Sequence, residues 1–513
     1  MTIKRALISV SEKNGVIDFA KKLQALNIEI ISTGGTQKVL TEAGIKTLSI
    51  DSVTGFPEIL DGRVKTLHPK IHGGLLGKTE LTSHLEMMDE HKIKPIDLIC
   101  VNLYPFKETL MKENVTSSEI IENIDIGGPS MLRSGSKNFE RVTVVVDSTD
   151  YDSVIDEIKK NGNTTLKLRK KLAAKAFRHT ASYDATIADY LTKEAQEETI
   201  ETLTLSYELK QTLRYGENNH QKAQFYRSNF LTNYSLVNSD QRHGKELSFN
   251  NIRDADACLK ILREYQEPTA VAVKHMNPCG IGSGKDINEA FQKAYEGDPI
   301  SIFGGILALN QEVDLELAEK LSKLFLEIII APKFSKDAFS LLSQKKNLRL
   351  LELQMTDNSI ETELEYQSVL GGILVQEIDS IKEDETSWKV VTKRQPSEEE
   401  LHALRFAYRA VKHVKSNGIV IANSQQTVGI GAGQMNRVGS VQIALNQAKD
   451  KLEGAVLASD AFFPMADSLE ILGENGIRAV IQPGGSIKDQ ESIDMANKYG
   501  MTMIFTGVRH FKH

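Results

Sequence analysis

The chain has 513 residues, 40% of them apolar and 26% charged, with a formal net charge of −7. That length exceeds what one hydrophobic core organises, so at least two domains are expected, and the acidic balance is against a general nucleic-acid binder, which needs a basic face. No apolar run is long enough to span a membrane, no signal-peptide core follows the first five residues, and Cys100, Cys258 and Cys279 are too scattered for a disulfide framework, so a cytoplasmic protein with no membrane partner is expected.

Residues 6–10 read as a strand, 15–26 as an amphipathic helix, 28–31 as a second strand and 37–43 as a second helix. Further strands are read at 98–103 and 142–146, with a helix from about residue 150. Alternation of this kind implies a parallel sheet covered on both faces, with ligands at the carboxyl ends of the strands. The loop Ser32-Thr33-Gly34-Gly35-Thr36 reads either as a phosphate cradle or as a tight strand-to-helix turn. Two glycines admit a ligand to backbone N–H groups at a helix N-terminus. It matches neither a Walker loop nor a dinucleotide fingerprint.

Residues 61–74 hold too many cations and glycines for a core element and read as an anion-clasping loop. His68 and His72 have metal-ligand spacing, but Pro69 is expected to break the helix they would need, so phosphate is favoured over metal. Asn102-Leu103-Tyr104-Pro105-Phe106 ends a strand, and Asp125-Ile126-Gly127-Gly128-Pro129-Ser130 opens a short helix carrying Arg133 and Lys137. Lys65, Tyr104, Asp125 and Lys137 form a candidate proton-handling cluster. Residues 164–198 then read as one or two charged helices, with a domain boundary near residue 200.

In the second half, residues 270–273 read as a buried strand that ends in Lys274-His275-Met276-Asn277-Pro278-Cys279-Gly280. A histidine there can move a proton near neutral pH beside a lysine cation, although such a pair taken alone is more often a solvated polar strand end. Gly280, Gly282 and Gly284 are expected to keep the backbone open to close approach. Residues 327–331 and 371–376 read as strands, and 270–278 echoes 455–464, which implies two related subdomains. A zinc deaminase needs a second cysteine where Gly282 stands, and no His-x-Glu lies upstream, so zinc is rejected and no metal is expected.

In this order, Ser-Thr-Gly-Gly-Thr, Gly-Arg-Val-Lys-Thr-Leu-His-Pro, Asn-Leu-Tyr-Pro-Phe and Asp-Ile-Gly-Gly-Pro resemble the IMP cyclohydrolase half of the bifunctional purine biosynthesis protein family. Arg214-Tyr215-Gly216, Ser248-Phe249-Asn250-Asn251, Lys-His-Met-Asn-Pro-Cys-Gly, Phe303-Gly304-Gly305, Lys415-Ser416-Asn417, Gly431-Ala432-Gly433-Gln434 with Arg437, Ser459-Asp460-Ala461-Phe462-Phe463-Pro464 and Arg509-His510-Phe511 resemble its AICAR transformylase half. The resemblance implies an α/β fold: a methylglyoxal-synthase-like parallel-sheet domain over 1–199, and a duplicated cytidine-deaminase-like domain of two subdomains over 200–513. It implies formyl transfer from 10-formyltetrahydrofolate, as co-substrate, to the 5-amino group of AICAR, then closure of formyl-AICAR to IMP with loss of water.

By the same resemblance, Lys65, Tyr104, Asp125 and Lys137 serve cyclisation, while Ser11, Lys13, Ser32, Thr33, Gly34, Gly35, Thr36, Arg63 and Thr66 hold the nucleotide. His275 is the implied proton shuttle of formyl transfer, Lys274 and Asp467 support charge near the formyl group, and Asn417 orients it. Arg214, Tyr215, Asn250, Arg437 and Arg509 are implied ribotide ligands, with Phe303, Gly304, Gly305 and Phe462 also lining the site. A homodimer with the transformylase site between subunits is implied. Met465 and Gly418 depart from the family's usual Phe and Ala. A monovalent cation held by backbone carbonyls leaves no residue pattern. The rivals are a methylglyoxal-synthase-type lyase, which leaves the second half unexplained, and a non-catalytic nucleotide binder.

Overall fold

A computed structural model describes residues 2–197, 199–229, 234–355, 364–381 and 384–513. The chain divides into two compact units, Met1–Glu208 and Leu209–His513, a division that falls inside the strand Tyr207–Leu213.

The first unit runs β1 (Arg5–Ser9), α1 (Val16–Ala25), β2 (Glu29–Ser32), α2 (Gly34–Glu42), β3 (Leu48–Ser49), α3 (Pro69–Leu76), β4 (Leu98–Val101), α4 (Gly127–Lys137), β5 (Thr143–Val145) and α5 (Leu166–Glu194). Its sheet has the order β3-β2-β1-β4-β5 and is parallel throughout. The strands are short continuous apolar runs because helices cover both faces. Phe19, Leu23 and Ile155 pack on one face, and Ile71, Leu75 and Leu132 on the other. The parallel α/β expectation holds, and residues 164–198 supply one long helix, α5, capped by the Thr165 side chain.

Two local readings change. Pro69 starts α3 instead of breaking a helix, because proline at the first helical position forfeits no intrahelical hydrogen bond. His68 caps that helix through Nδ1, accepting the Lys70 N–H at 3.1 Å, while His72 Nδ1 pairs with Ser134 Oγ at 2.9 Å. The two imidazoles are thus committed to different partners. The helix expected from residue 37 begins at Gly34, so the glycines form its first turn.

The second unit contains β6 (Asp240–His243), α6 (Phe249–Leu262), β7 (Thr269–Lys274), β8 (Asn277–Ser283), α7 (Ile287–Gly297), β9 (Ile306–Leu309), β10 (Ile328–Ala331) and β11 (Arg349–Glu352). After the hairpin β12 (Leu364–Val369) and β13 (Gly372–Glu377) come β14 (Lys389–Val390), α8 (Glu398–Val411), β15 (Ile419–Ala422), β16 (Thr427–Gly431), α9 (Arg437–Ala448), β17 (Val456–Ser459), α10 (Asp467–Glu474), β18 (Ala479–Gln482) and β19 (Thr502–Phe505). The sheets β8-β7-β9-β10-β11-β6 and β16-β15-β17-β18-β19-β14 have one topology, with matching parallel and antiparallel neighbours.

Duplication is therefore real, but the sequence echo paired the wrong elements. By topology β7 corresponds to β15, and the strand at 456–459 corresponds to β9. The true repeat lies in glycines. A Cβ on Gly280 would sit 2.0 Å from the Ala294 carbonyl, and one on Gly431 would sit 2.0 Å from the Ser440 carbonyl. Each edge strand admits its helix, α7 or α9, at backbone distance. The close approach expected at Gly280 and Gly282 is made by a helix, not a ligand. The sheets meet at their edges, where Ile281 N–H donates to Thr427 Oγ1 at 2.9 Å and Ser283 N–H to the Gln425 carbonyl at 2.8 Å. Residues 371–376 fall in the β12–β13 hairpin, which is exposed on both faces rather than packed in a core.

Candidate active site

In the first unit a cavity of about 580 Å³ opens at the carboxyl ends of β1, β2 and β4. Its lining includes Ser11, Lys13, Thr33, Gly34, Gly35, Thr36, Arg63, Lys65, Thr66, Tyr104 and Asp125. Topology explains the convergence, since adjacent parallel strands end on one rim. Ser32 is fully buried and donates its hydroxyl to the Ile8 carbonyl at 2.8 Å, so it faces the sheet and not the cavity. Thr33 and Thr36 also spend their hydroxyls internally, on Ser9 Oγ (2.6 Å) and the Val10 carbonyl (2.8 Å). What the loop offers an anion is the first turn of α2. Gly35 has open space where a Cβ would stand, and the Lys65 ammonium lies 3.9 Å from the Cβ position of Gly34. A lysine cation over a helix N-terminus offers positive potential suited to an anion such as phosphate.

Across the cavity, Asp125 Oδ1 accepts the Gly128 N–H at 2.8 Å. Its own N–H donates to Tyr183 Oη on α5 at 2.9 Å. Burial raises the Asp125 pKa above the ordinary carboxylate value, against the opposing pull of the Gly128 and Tyr104 N–H groups and the Lys65 charge. Tyr104 is exposed at the rim. Arg63 is paired with Glu122, and Lys65 stands 4.0 Å from Glu58, so both cations are held by carboxylates. Lys137 does not line this cavity. It is exposed at the far end of α4, about 15 Å from Gly127 at ~1.5 Å per residue.

The sequence reading assigned no role to Asn102, Gly127, Gly128 or Tyr183. Asn102 Oδ1 accepts the Ser11 N–H at 2.5 Å and so fixes the Ser11–Lys13 rim. A Cβ on Gly128 would sit 2.5 Å from Asp125 Oδ2, and one on Gly127 would sit 2.5 Å from Thr66 Oγ1. The Asn-Leu-Tyr-Pro-Phe and Asp-Ile-Gly-Gly-Pro motifs signalled the first three. Nothing local signals Tyr183, which acts from a distant helix.

In the second unit the Lys-His stretch is a two-residue hairpin loop joining β7 to β8. Pro278 sits in the edge strand beside a register shift, where a missing N–H costs the ladder least. His275 projects to solvent, and Lys274 Nζ donates to the Phe303 carbonyl at 2.7 Å, bringing the Phe303-Gly304-Gly305 loop alongside. Asn277 Oδ1 accepts the Lys415 N–H at 3.1 Å, which draws in the segment bearing Asn417. Asn250 Nδ2 reaches the Glu217 carbonyl at 3.3 Å, and so adjoins the Arg214-Tyr215 turn.

Arg437 is the exception among the expected ribotide ligands. It is buried, pairs with the fully buried Asp460 at 2.5 Å, and donates to Ser459 Oγ at 2.8 Å and Asn417 Oδ1 at 2.9 Å. Such a guanidinium positions Asn417 and is closed to an incoming ligand. Asp467 is exposed in the first turn of α10, with its carboxylate on the Ser468 N–H at 2.7 Å. Phe462 is half-buried, and Arg509 is exposed over the Phe511 ring at 4.9 Å.

Comparison with known proteins accounts for both units. The model of the AICARFT/IMPCHase bienzyme family matches residues 135–447, and that of the MGS-like domain matches residues 15–130. The chain belongs to the AICARFT/IMPCHase bienzyme family. Among relatives, the bifunctional purine biosynthesis protein PurH of Enterococcus faecalis is 62% identical over 512 residues, covering 99% of this chain and 100% of its own. That of Streptococcus mutans is 59% identical over 513 residues, with 99% and 100% covered. A crystal structure titled ForH aligns at 36% identity and a TM-score of 0.34, over 36% of this chain and 98% of its own. As a bienzyme of purine biosynthesis, the chain carries a formyltransferase and a cyclohydrolase activity.

Proposed function

We propose that the first unit, expected from sequence to span 1–199, closes formyl-AICAR to IMP, and that the second, 200–513, formylates AICAR from 10-formyltetrahydrofolate. The observation that carries the first assignment is the opposition, across one cavity, of Lys65 over the α2 N-terminus and Asp125 with its raised pKa. The nucleotide phosphate takes the Gly34–Gly35 N–H groups and Lys65, with Ser11, Lys13, Arg63 and Thr66 around it. Ring closure needs a proton removed from the attacking amide nitrogen and charge stabilised on the former formyl oxygen. Asp125 takes the first task, and Tyr104, with the Gly127 N–H group, attends the oxygen. Lys137, at the remote end of α4, enters this scheme only by acting on another surface.

For formyl transfer, His275 receives the proton lost by the amine as it attacks. Lys274, Asn417 and Asp467 attend the formyl group, and Arg437 acts by holding Asn417. Arg214, Tyr215, Asn250 and Arg509 hold the ribotide, while Phe303 and Phe462 flank the folate. The protein works in the cytoplasm as a homodimer. The two-faced exposure of β12–β13 supports the second copy, because an isolated two-stranded hairpin is marginal in water.

The test supplies AICAR and 10-formyltetrahydrofolate to purified protein in the presence of a chelator and follows tetrahydrofolate and IMP together. Both products are expected. Tetrahydrofolate without IMP would refute the cyclohydrolase assignment, and neither product from folded protein would favour a nucleotide binder.

A further inference from the structure

Asp254 is a charged side chain left unused by the functional reading. It sits on α6, one turn beyond Asn250, half-buried beneath the loop that presents His275. The two central residues of that loop, His275 and Met276, have φ of 53° and 64°. Both are therefore left-handed, in a two-residue hairpin turn that ordinarily takes Asn-Gly, because a Cβ is strained there. Neither residue here is glycine, so the turn needs support from outside itself. Asp254 gives it: Oδ1 accepts the Met276 N–H at 2.8 Å, and the His275 N–H also bonds this carboxylate. Helix α6 thereby links the turn to Asn250 and its contact with the Glu217 carbonyl.

We propose that Asp254 is a positioning residue for formyl transfer, clamping the strained turn so that the His275 imidazole meets the acceptor amine. The inference rests on the reading of His275 as the proton shuttle. Without the clamp the turn relaxes toward an unstrained form and the imidazole moves, which lowers the rate of the bound complex more than its formation.

Full-length variants are assayed for tetrahydrofolate release with AICAR and 10-formyltetrahydrofolate. Asp254→Ala is expected to lower kcat about tenfold with the KM for AICAR within about twofold. Asp254→Asn keeps an acceptor oxygen and is expected to lose about threefold or less. Adding Met276→Gly to Asp254→Ala relieves the strain at one of the two positions and is expected to restore much of the lost kcat, which a general loss of folding would not allow. Should Asp254→Ala fail to fold, Asp254→Asn with and without Met276→Gly carries the same comparison. Unchanged kcat in Asp254→Ala, or a loss that Met276→Gly leaves untouched, overturns the inference. His275→Ala separates the two layers. If it retains formyl transfer, the shuttle reading falls and the inference with it; if it is inactive while Asp254→Ala is fully active, only the inference falls.

Discussion

At the scale of single residues, the cavity of the first unit sets stability against function. Asp125 is held with its pKa above the ordinary carboxylate value because burial outweighs the two N–H groups and the Lys65 charge. A group whose folded pKa is raised adds stability at acid pH and loses that contribution as pH rises through the folded value. At neutral pH the ionised carboxylate is therefore a net cost to the fold. Asp125→Asn keeps an oxygen for the Gly128 N–H, and its Tm at pH 7 should rise while cyclisation of added formyl-AICAR falls about hundredfold. For the unsubstituted protein, kcat/KM for cyclisation should decline toward acid pH with a midpoint above that of an ordinary carboxylate. A fall in Tm on substitution, or cyclisation that survives it, would contradict the role of Asp125 as base. The Ser32-Thr33-Gly34-Gly35-Thr36 loop teaches a related lesson: its hydroxyls build the turn, which leaves the Gly34–Gly35 backbone to line the cavity.

At the scale of elements, edge strands and helices meet through glycine. Gly280 and Gly282 admit α7, and Gly429 and Gly431 admit α9, with ideal Cβ positions between 2.0 and 2.4 Å from helix carbonyls. Backbone carbonyls cannot swing aside as a long side chain can, so overpacking must separate strand from helix. Gly280→Ala should destabilise the second unit by about 3 kcal/mol or more, read as a lower urea midpoint for its unfolding transition. Retention of the wild-type midpoint would show that the strand can yield. Because β8 carries the loop of His275, formyl transfer should weaken in the same variant. Sequence reading expected a close approach at Gly280 and Gly282 but named no neighbour, since ligand and helix both demand a missing Cβ.

At the scale of the whole molecule, the β12–β13 hairpin stands out as exposed on both faces. Leu370 is fully exposed, and Leu374 is 58% exposed. A second copy would cover this apolar surface. Leu374→Glu should shift the protein toward monomer in sedimentation and depress formyl transfer, while cyclisation of added formyl-AICAR persists. A dimer unchanged by that substitution would move the interface elsewhere. Among the described residues no helix is long and apolar enough to cross a membrane.

The amino-acid sequence by itself determined the parallel α/β character of the first unit, because buried strands are continuous apolar runs and the helices between them are amphipathic. It also determined the family, through ordered motifs such as Gly-Arg-Val-Lys-Thr-Leu-His-Pro whose residue types no core element requires. Tertiary structure alone decided which residues face a cavity. Ser32 and Arg437 belong to such motifs, yet burial commits one to the Ile8 carbonyl and the other to Asp460 and Asn417. It also decided the true register of the duplication and the supports supplied by Tyr183 and Asp254. Those depend on contacts between residues remote in sequence, and a local pattern holds no information about which distant side chain will complete a hydrogen bond.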